Sequence, residues 1–328
     1  MNNTTILPKT GISNPPSPPN SNVDMVLQVL FGVIAAASFL FNLLFCVLLL
    51  KRPSMLKKGH NILLFSLAVV DMLTGIFLVA TPGYVISKSS YPVPSGIGGE
   101  IFCRLLDNRY LLFGMGKVSI LLVACLAIER WYCVLKPTQY RQQFSRKRII
   151  IYVFMSFIAT CILSMNKFFE NSLSGNKCAS KKAPYGIYGT RAFVFAYSFA
   201  AFYIPCFVTW LTFCHITLHF PSSPGDNNES VNKKRRQRAL LRMCALTAIA
   251  LTVCGFPTQT FYILYPFGIT KLGSPLHKGF NVLALFNSCM NPLIYWITNK
   301  EYRKEFKKLW GCNKGNEISP ELTQASVS

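Results

Sequence analysis

A bundle of seven membrane-crossing helices is the fold class this chain predicts, and three observations predict it. Of its 328 residues, 51% are hydrophobic and only 14% are charged, which is too greasy for a water-soluble domain of this size. Apolar runs of about 20 residues or more, long enough to span ~30 Å of hydrocarbon, recur seven times. The basic residues cluster in alternate connections between those runs, as they do where cytoplasmic loops retain Lys and Arg.

The elements follow in order. Residues 1–24 open with "MNNTTILPKTGISNPPSPPNSN", a Pro-, Asn- and Ser-rich stretch without the apolar core of a cleavable signal. A disordered extracellular head is expected, with overlapping glycosylation sequons at Asn2 and Asn3. The membrane domain spans 25–299, with apolar runs at 25–50, 61–87, 101–128, 148–169, 189–218, 239–265 and 275–298. The first carries Asn42 and the second Asp71. The third opens at Cys103, passes Asp107, Lys117 and Ser119, and closes on Glu129 and Arg130. The fourth is interrupted late by Asn166 and Lys167, and the fifth and sixth contain Pro205 and Pro257. The seventh holds Asn287, Asn291, Pro292 and Tyr295. Residues 300–311 read as an amphipathic juxtamembrane helix, with Tyr302, Phe306 and Leu309 expected to face lipid. Residues 312–328 form a cytoplasmic tail, in which Cys312 is a palmitoylation candidate and Ser319, Thr323, Ser326 and Ser328 point to phosphorylation.

Sidedness follows from charge. Lys51, Arg52, Lys57 and Lys58, then Lys136, Arg141 and residues 146–148, then the "NKKRRQR" segment, then the lysines after 299 all fall on one side. The N-terminus is therefore expected outside, in a multi-pass protein of the plasma membrane. The net charge of +22 reflects this topology and contact with anionic lipid rather than nucleic acid, because the charge is split among loops. Of the twelve cysteines, all but Cys103 and Cys178 fall within spans or on the reducing side. A bridge between those two would pin the long outer connection to the bundle; two free thiols are the alternative.

Polar groups cost several kcal/mol in hydrocarbon unless they face partners or water, so each one in a span is a functional candidate. The set is Asn42, Asp71, Lys117, Ser119, Glu129, Arg130, Asn287 and Asn291. Their local sequences carry a resemblance. "ERWYCVLKPTQY" (129–140) resembles the Asp/Glu-Arg-aromatic motif of rhodopsin-like G-protein-coupled receptors, "NSCMNPLIY" (287–295) their Asn-Pro-x-x-Tyr motif, and "SLAVVD" (66–71) their second span. The likeness extends from about 25 to 312.

The resemblance implies a receptor that binds an extracellular ligand and activates a heterotrimeric G protein by promoting nucleotide exchange. Glu129 would hold Arg130 in the idle state, Pro257 and Pro292 would act as hinges, and Tyr295 would swing inward when the bundle opens. Asn42, Asp71, Ser119, Asn287 and Asn291 would form a polar network, with sodium on Asp71 as an allosteric ion; a water-filled network without an ion is the alternative. No other cofactor is implied.

The chain departs from the family's pattern in several places. Gly255 stands where the sixth span usually has Trp, Phe213 replaces a Tyr of the fifth, and the fourth span lacks its Trp. Gln237 replaces an acid that clamps the arginine in some members, which favours basal activity. The separation of Cys103 from Arg130 exceeds the family's common spacing by about two residues, implying a longer or bulged outer end of the third span. Leu112 and Leu285 occupy the places of an amine-binding Asp and a retinal-binding Lys, arguing against both ligand classes.

Lys117, roughly 20 Å along the helix from Arg130 at 1.5 Å per residue, is the unusual ligand candidate. With Lys181 and Lys182 it favours an anionic group such as a peptide carboxylate, whereas solvation by carbonyls and water is the plainer explanation. Asp107 is a second candidate, near the mouth. His215 and His219 have a metal-compatible spacing but no accompanying acid motif, and no catalytic signature appears, so an enzyme is not expected. A receptor-shaped scavenger or chaperone that binds ligand without coupling is the rival reading.

Overall fold

Seven long helices form the bundle in the computed structural model, which describes residues 21–181, 185–220 and 228–309. They are α1 (Ser21–Lys51), α2 (Gly59–Ala80), α3 (Tyr110–Leu135), α4 (Arg146–Leu163), α5 (Gly186–Leu218), α6 (Asn228–Leu264) and α7 (Pro275–Thr298), followed by the shorter α8 (Lys300–Leu309). Asn2, Asn3, Cys312, Lys182 and the tail lie outside the described residues.

The polarity of the bundle is inverted relative to a protein folded in water. Val33, Leu40, Phe154, Ile162, Phe207 and Val253 are exposed, while Asn42, Asp71, Glu129, Arg130 and Asn291 are buried. Apolar surface outside and polar groups inside suit lipid as the solvent. Helices α1, α2, α3, α5 and α6 are long and apolar enough to cross a membrane by length and composition. The first turn of α4 is crowded by Arg146, Lys147 and Arg148, and the apolar character of α7 is diluted by asparagines and prolines. Both nevertheless take their places in the bundle.

Several element ends differ from the sequence expectation, each for a local reason. Residues 21–24, expected to belong to the disordered head, are helical within α1. Helix α2 stops at Ala80 rather than 87, because Thr81 precedes Pro82 and takes the extended backbone that proline imposes on its neighbour. Helix α3 starts at Tyr110 rather than 101. Ahead of it come a short helix, Gly96–Phe102, and a π-helical segment, Cys103–Asp107, and then Arg109 breaks the path with a left-handed φ of 62°. The extra length between Cys103 and Arg130 thus takes the form of a bulge. Helix α4 ends at Leu163 rather than 169, and Met165–Glu170 forms a separate turn.

Within α5, Phe199–Tyr203 is π-helical immediately before Pro205. The wider turn accommodates a residue that cannot donate a backbone hydrogen bond. Pro257 and Pro292 lie inside α6 and α7.

Between α4 and α5, β1 (Asn171–Ser174) and β2 (Lys177–Ser180) form an antiparallel hairpin in which Leu173 faces Cys178. Its turn uses Gly175 at φ 59°, where a side chain would be strained. The expected Cys103–Cys178 disulfide is present and ties β2 to the approach of α3.

On the inner side, α8 is docked rather than simply laid on lipid. Tyr302 is 1% exposed, donates a hydrogen bond to Asn61 Oδ1, and packs on Phe45 and Tyr295 at centroid distances of 5.6 and 6.4 Å. This corrects the expectation that Tyr302 faces lipid. An aromatic ring at helical spacing fits either surface, and here the bundle supplies both a ring and a polar acceptor. Ion pairs Arg52–Glu305 (2.8 Å) and Lys58–Glu301 (2.6 Å) join α8 to the first inner connection.

Candidate functional site

A cavity of about 440 Å³ opens beneath the outer hairpin between α3, α5, α6 and α7, within the size range of sites for small ligands. Its charged lining is Arg109, Lys117, Lys167, Glu170 and Lys181. Glu170 is paired with Lys167 at 2.7 Å. Lys117 is 5% exposed; its Nζ stands 5.6 Å from the Tyr197 ring centroid and 5.9 Å from that of Phe202. No carboxylate pairs with it among the described residues. The cavity therefore holds a buried amine whose neighbours are aromatic faces.

Asp107 is not part of this lining. It forms an ion pair with Lys88 at 2.6 Å and accepts from Asn171 at 3.4 Å, which removes it from the candidate ligand contacts. Its partner Lys88 comes from the connection between α2 and α3, a pairing that helical periodicity does not reveal.

Three cavity residues pass unnoticed in the sequence. Arg109 owes its position to the backbone break; its guanidinium lies 5.5 Å from the Tyr84 centroid and its Nε is buried without a partner. Gln259 Oε1 and Asn281 Oδ1 are also buried without a donor. Asn281 is signalled by the rule that singles out polar groups in spans, whereas Arg109 has no sequence signal.

Below Lys117 lies a second, smaller chamber of about 70 Å³, with room for a few water molecules. Lys117, Ser119, Phe202, Gly255, Asn287 and Ser288 are among its walls, and Leu112 and Leu285 also face it. Gly255 is closely covered: a Cβ there would come within 2.6 Å of Phe202 Cε2. The Phe202 ring thus occupies space next to the residue where a large aromatic side chain was expected. Phe213 is buried in the main core.

The inner chamber leads to the polar network. Asn291 Nδ2 donates to Asp71 Oδ2 at 2.7 Å and Ser119 Oγ to Asp71 Oδ1 at 3.5 Å. Ser38 Oγ donates to the Asp71 backbone carbonyl at 2.7 Å, and Asn42 Nδ2 reaches the carbonyls of Ser38 and Ser288 at 2.7 and 2.9 Å. Four helices, α1, α2, α3 and α7, are thereby joined around one carboxylate. Asn287 is buried nearby in sequence, and Asn42 Oδ1, Asn287 Oδ1 and Asn291 Oδ1 have no donor. Buried carboxylate and carbonyl oxygens short of donors are a donor set that fits a hard monovalent cation.

At the inner end of α3, Arg130 donates from Nε and Nη2 to both oxygens of Glu129, and Tyr140 donates to Glu129 Oε1 at 2.6 Å. Glu129 and Arg130 are 0% and 3% exposed. The forked guanidinium matches the carboxylate in two-point geometry. Gln237 on α6 makes no hydrogen bond to Arg130, so the clamp is local to α3 and the helix that follows it, Pro137–Gln143. Tyr295 is 1% exposed and packs 5.0 Å from Phe45. His215 accepts from Trp131 Nε1 at 3.0 Å and stacks on His219, a packed pair rather than a convergent ligand set.

Comparison with known proteins converges on one description. The family described as "7 transmembrane receptor (rhodopsin family)" matches residues 41–295. The chain is 21% identical to the Allatostatin-A receptor of Bombyx mori, over 93% of this chain and 86% of that protein. It is 18% identical to Galanin receptor 2a of Danio rerio, covering 90% and 80%, and 24% identical to 5-hydroxytryptamine receptor 4 of Rattus norvegicus, covering 92% and 80%.

Proposed function

The chain belongs to the rhodopsin family of seven-transmembrane receptors, and on that premise we propose that it turns the binding of an extracellular ligand into nucleotide exchange on a heterotrimeric G protein. As a multi-pass membrane receptor rather than an enzyme, it changes no covalent bond. The N-terminus lies outside and the Arg130 end inside, in keeping with the basic inner connections. The observation that carries the reading is the buried Glu129–Arg130 fork, capped by Tyr140. It is a charged group held in reserve at the end of the bundle where a partner would dock.

Ligand bound in the outer cavity favours the open bundle. Helix α6 bends about Pro257, α7 repacks about Pro292, and Arg130 leaves Glu129 to meet the G protein. The names of the peptide receptors among the relatives support a peptide ligand, and Lys117 supports one with an anionic group. Asp71, with Ser119, Asn287 and Asn291, would hold a sodium ion in the closed state. When bound, that ion supplies positive charge to the network and stabilises the closed arrangement. Arrestin and inner-leaflet lipid are further partners of the inner face.

The test is ligand-free nucleotide exchange on a panel of G proteins in membranes containing the receptor, compared with Arg130→Ala. Exchange above empty membranes that Arg130→Ala alters supports coupling. Silence with every G protein, even with a binding ligand present, refutes it and favours a ligand-binding protein that does not couple.

A further inference from the structure

Besides Arg109 Nε, three groups in the outer cavity lack the partner their chemistry requires. Lys117 carries up to three N–H donors, faces the Tyr197 and Phe202 rings and has no carboxylate partner among the described residues. Gln259 Oε1 on α6 and Asn281 Oδ1 on α7 are acceptors buried without a donor. Leaving such atoms unmatched is unfavourable, so a ligand that supplies their complements gains from all three.

Charge narrows the class. Among the described residues Glu170 is the only acid in the lining, and it is already committed to Lys167. Arg109, Lys117 and Lys181 are left as an excess of positive charge, which repels an amine. A neutral ligand would leave Lys117 unpaired. The body of the ligand has Tyr110, Phe113, Tyr197 and Tyr262 to pack against, and the 440 Å³ volume admits a drug-sized group.

We infer that the cavity takes an N-acyl amino acid, free or as the C-terminal residue of a peptide, with its carboxylate beside Lys117 and its amide N–H accepted by Gln259 or Asn281. The inference rests on the reading of this cavity as the receptor's ligand site. Such a ligand bridges α3 to α6 and α7 just outside Pro257, where a contact can bias the bend of α6. A peptide longer than the cavity places only its terminal residues inside, and its C-terminus must be a free acid.

The test uses thermal stabilisation of the purified full-length receptor, with no G protein present. The probes are N-acetyl and N-benzoyl derivatives of aromatic and aliphatic amino acids, and tetrapeptides ending in the same residues. Each is paired with its carboxamide and with an analogue in which ester oxygen replaces the amide N–H. Free acids are expected to stabilise at concentrations about 10- to 100-fold lower than their carboxamides, the range for a hydrogen-bonded charge. Ester analogues should be weaker than the amides by about 3- to 10-fold.

Lys117→Met should abolish the preference for acid over carboxamide while keeping that for amide over ester, and Lys117→Arg should keep both. Asn281→Ala combined with Gln259→Ala should abolish the second preference alone. The acid and carboxamide comparison on the unaltered protein decides the matter even where a variant fails to fold. Carboxamides or amines that match the acids, an acid preference that survives Lys117→Met, or no stabilisation by any probe at millimolar concentration would each overturn the inference. Tetrapeptides that outperform the acyl amino acids identify a peptide source, and parity identifies a small-molecule source. Probes that bind as expected to a receptor silent in nucleotide exchange would uphold this inference and refute the coupling.

Discussion

Adding one methyl group at Gly255 is expected to destabilise the receptor only while the Phe202 ring is present. An Ala Cβ would stand 2.6 Å from Cε2 and 3.1 Å from Cζ of Phe202, and Phe202 is 1% exposed, with Tyr203 packed edge-on at 5.2 Å. Overfilling a packed interior costs about 1–3 kcal/mol, whereas replacing Gly by Ala inside a helix gains about 1 kcal/mol. The net result is a loss of roughly 0–2 kcal/mol from the two terms together. In a Phe202→Ala background the ring is gone, the clash vanishes, and the same substitution should stabilise by about 1 kcal/mol. The assay is a double-mutant cycle on thermal unfolding midpoints, where ~1 kcal/mol corresponds to about 1.5 °C in a chain of this size. If Gly255→Ala raises the midpoint equally in both backgrounds, Phe202 does not fill the space beside Gly255.

Three further outcomes are expected. Asp71→Asn should remove any stabilisation of the purified receptor by sodium chloride over choline chloride; a sodium effect that persists in the variant would exclude Asp71 as the ion's ligand. Tyr140→Phe deletes one hydrogen bond to the Glu129 carboxylate, of the kind worth about 1.5–3 kcal/mol, and should raise ligand-free nucleotide exchange several-fold. Unchanged or lower exchange would show that Tyr140 does not help hold the closed fork. Arg109→Gly should be more stable than Arg109→Ala by about 1 kcal/mol, because only glycine takes a left-handed backbone freely. Equal midpoints would mean that the break before α3 relaxes when the side chain is cut.

The sequence exposes whatever lipid forces on it. Seven apolar runs, the alternation of basic connections, and each buried polar side chain from Asn42 to Asn291 follow from the cost of polar groups in hydrocarbon, and the prolines stand out against that background. Contacts decided by tertiary geometry do not show. The spacing of Cys103 from Arg130 signals extra length at the outer end of α3, but not that a π-helical turn and a left-handed Arg109 take it up beside the disulfide and the Lys88–Asp107 pair. Tyr302 has the spacing of a lipid-facing residue and is claimed instead by Phe45 and Asn61. Gly255 is visible as a missing side chain, but only the coordinates reveal Phe202 in the neighbouring space.

Because Tyr295 and Tyr302 share the Phe45 ring, α7 and α8 hold each other in place. Repacking α7 about Pro292 would take Tyr295 from this cluster and weaken the seat of Tyr302, so the position of α8 is coupled to the state of the bundle. Such coupling is reciprocal: whatever grips α8 shifts the equilibrium of α7 by the same free energy. Lys304, Lys307 and Lys308 are exposed on α8, and anionic headgroups attract juxtamembrane lysines by about 1 kcal/mol each. If α7 repacks as proposed, anionic lipid held at these lysines would favour whichever state of the bundle seats Tyr302 against Phe45.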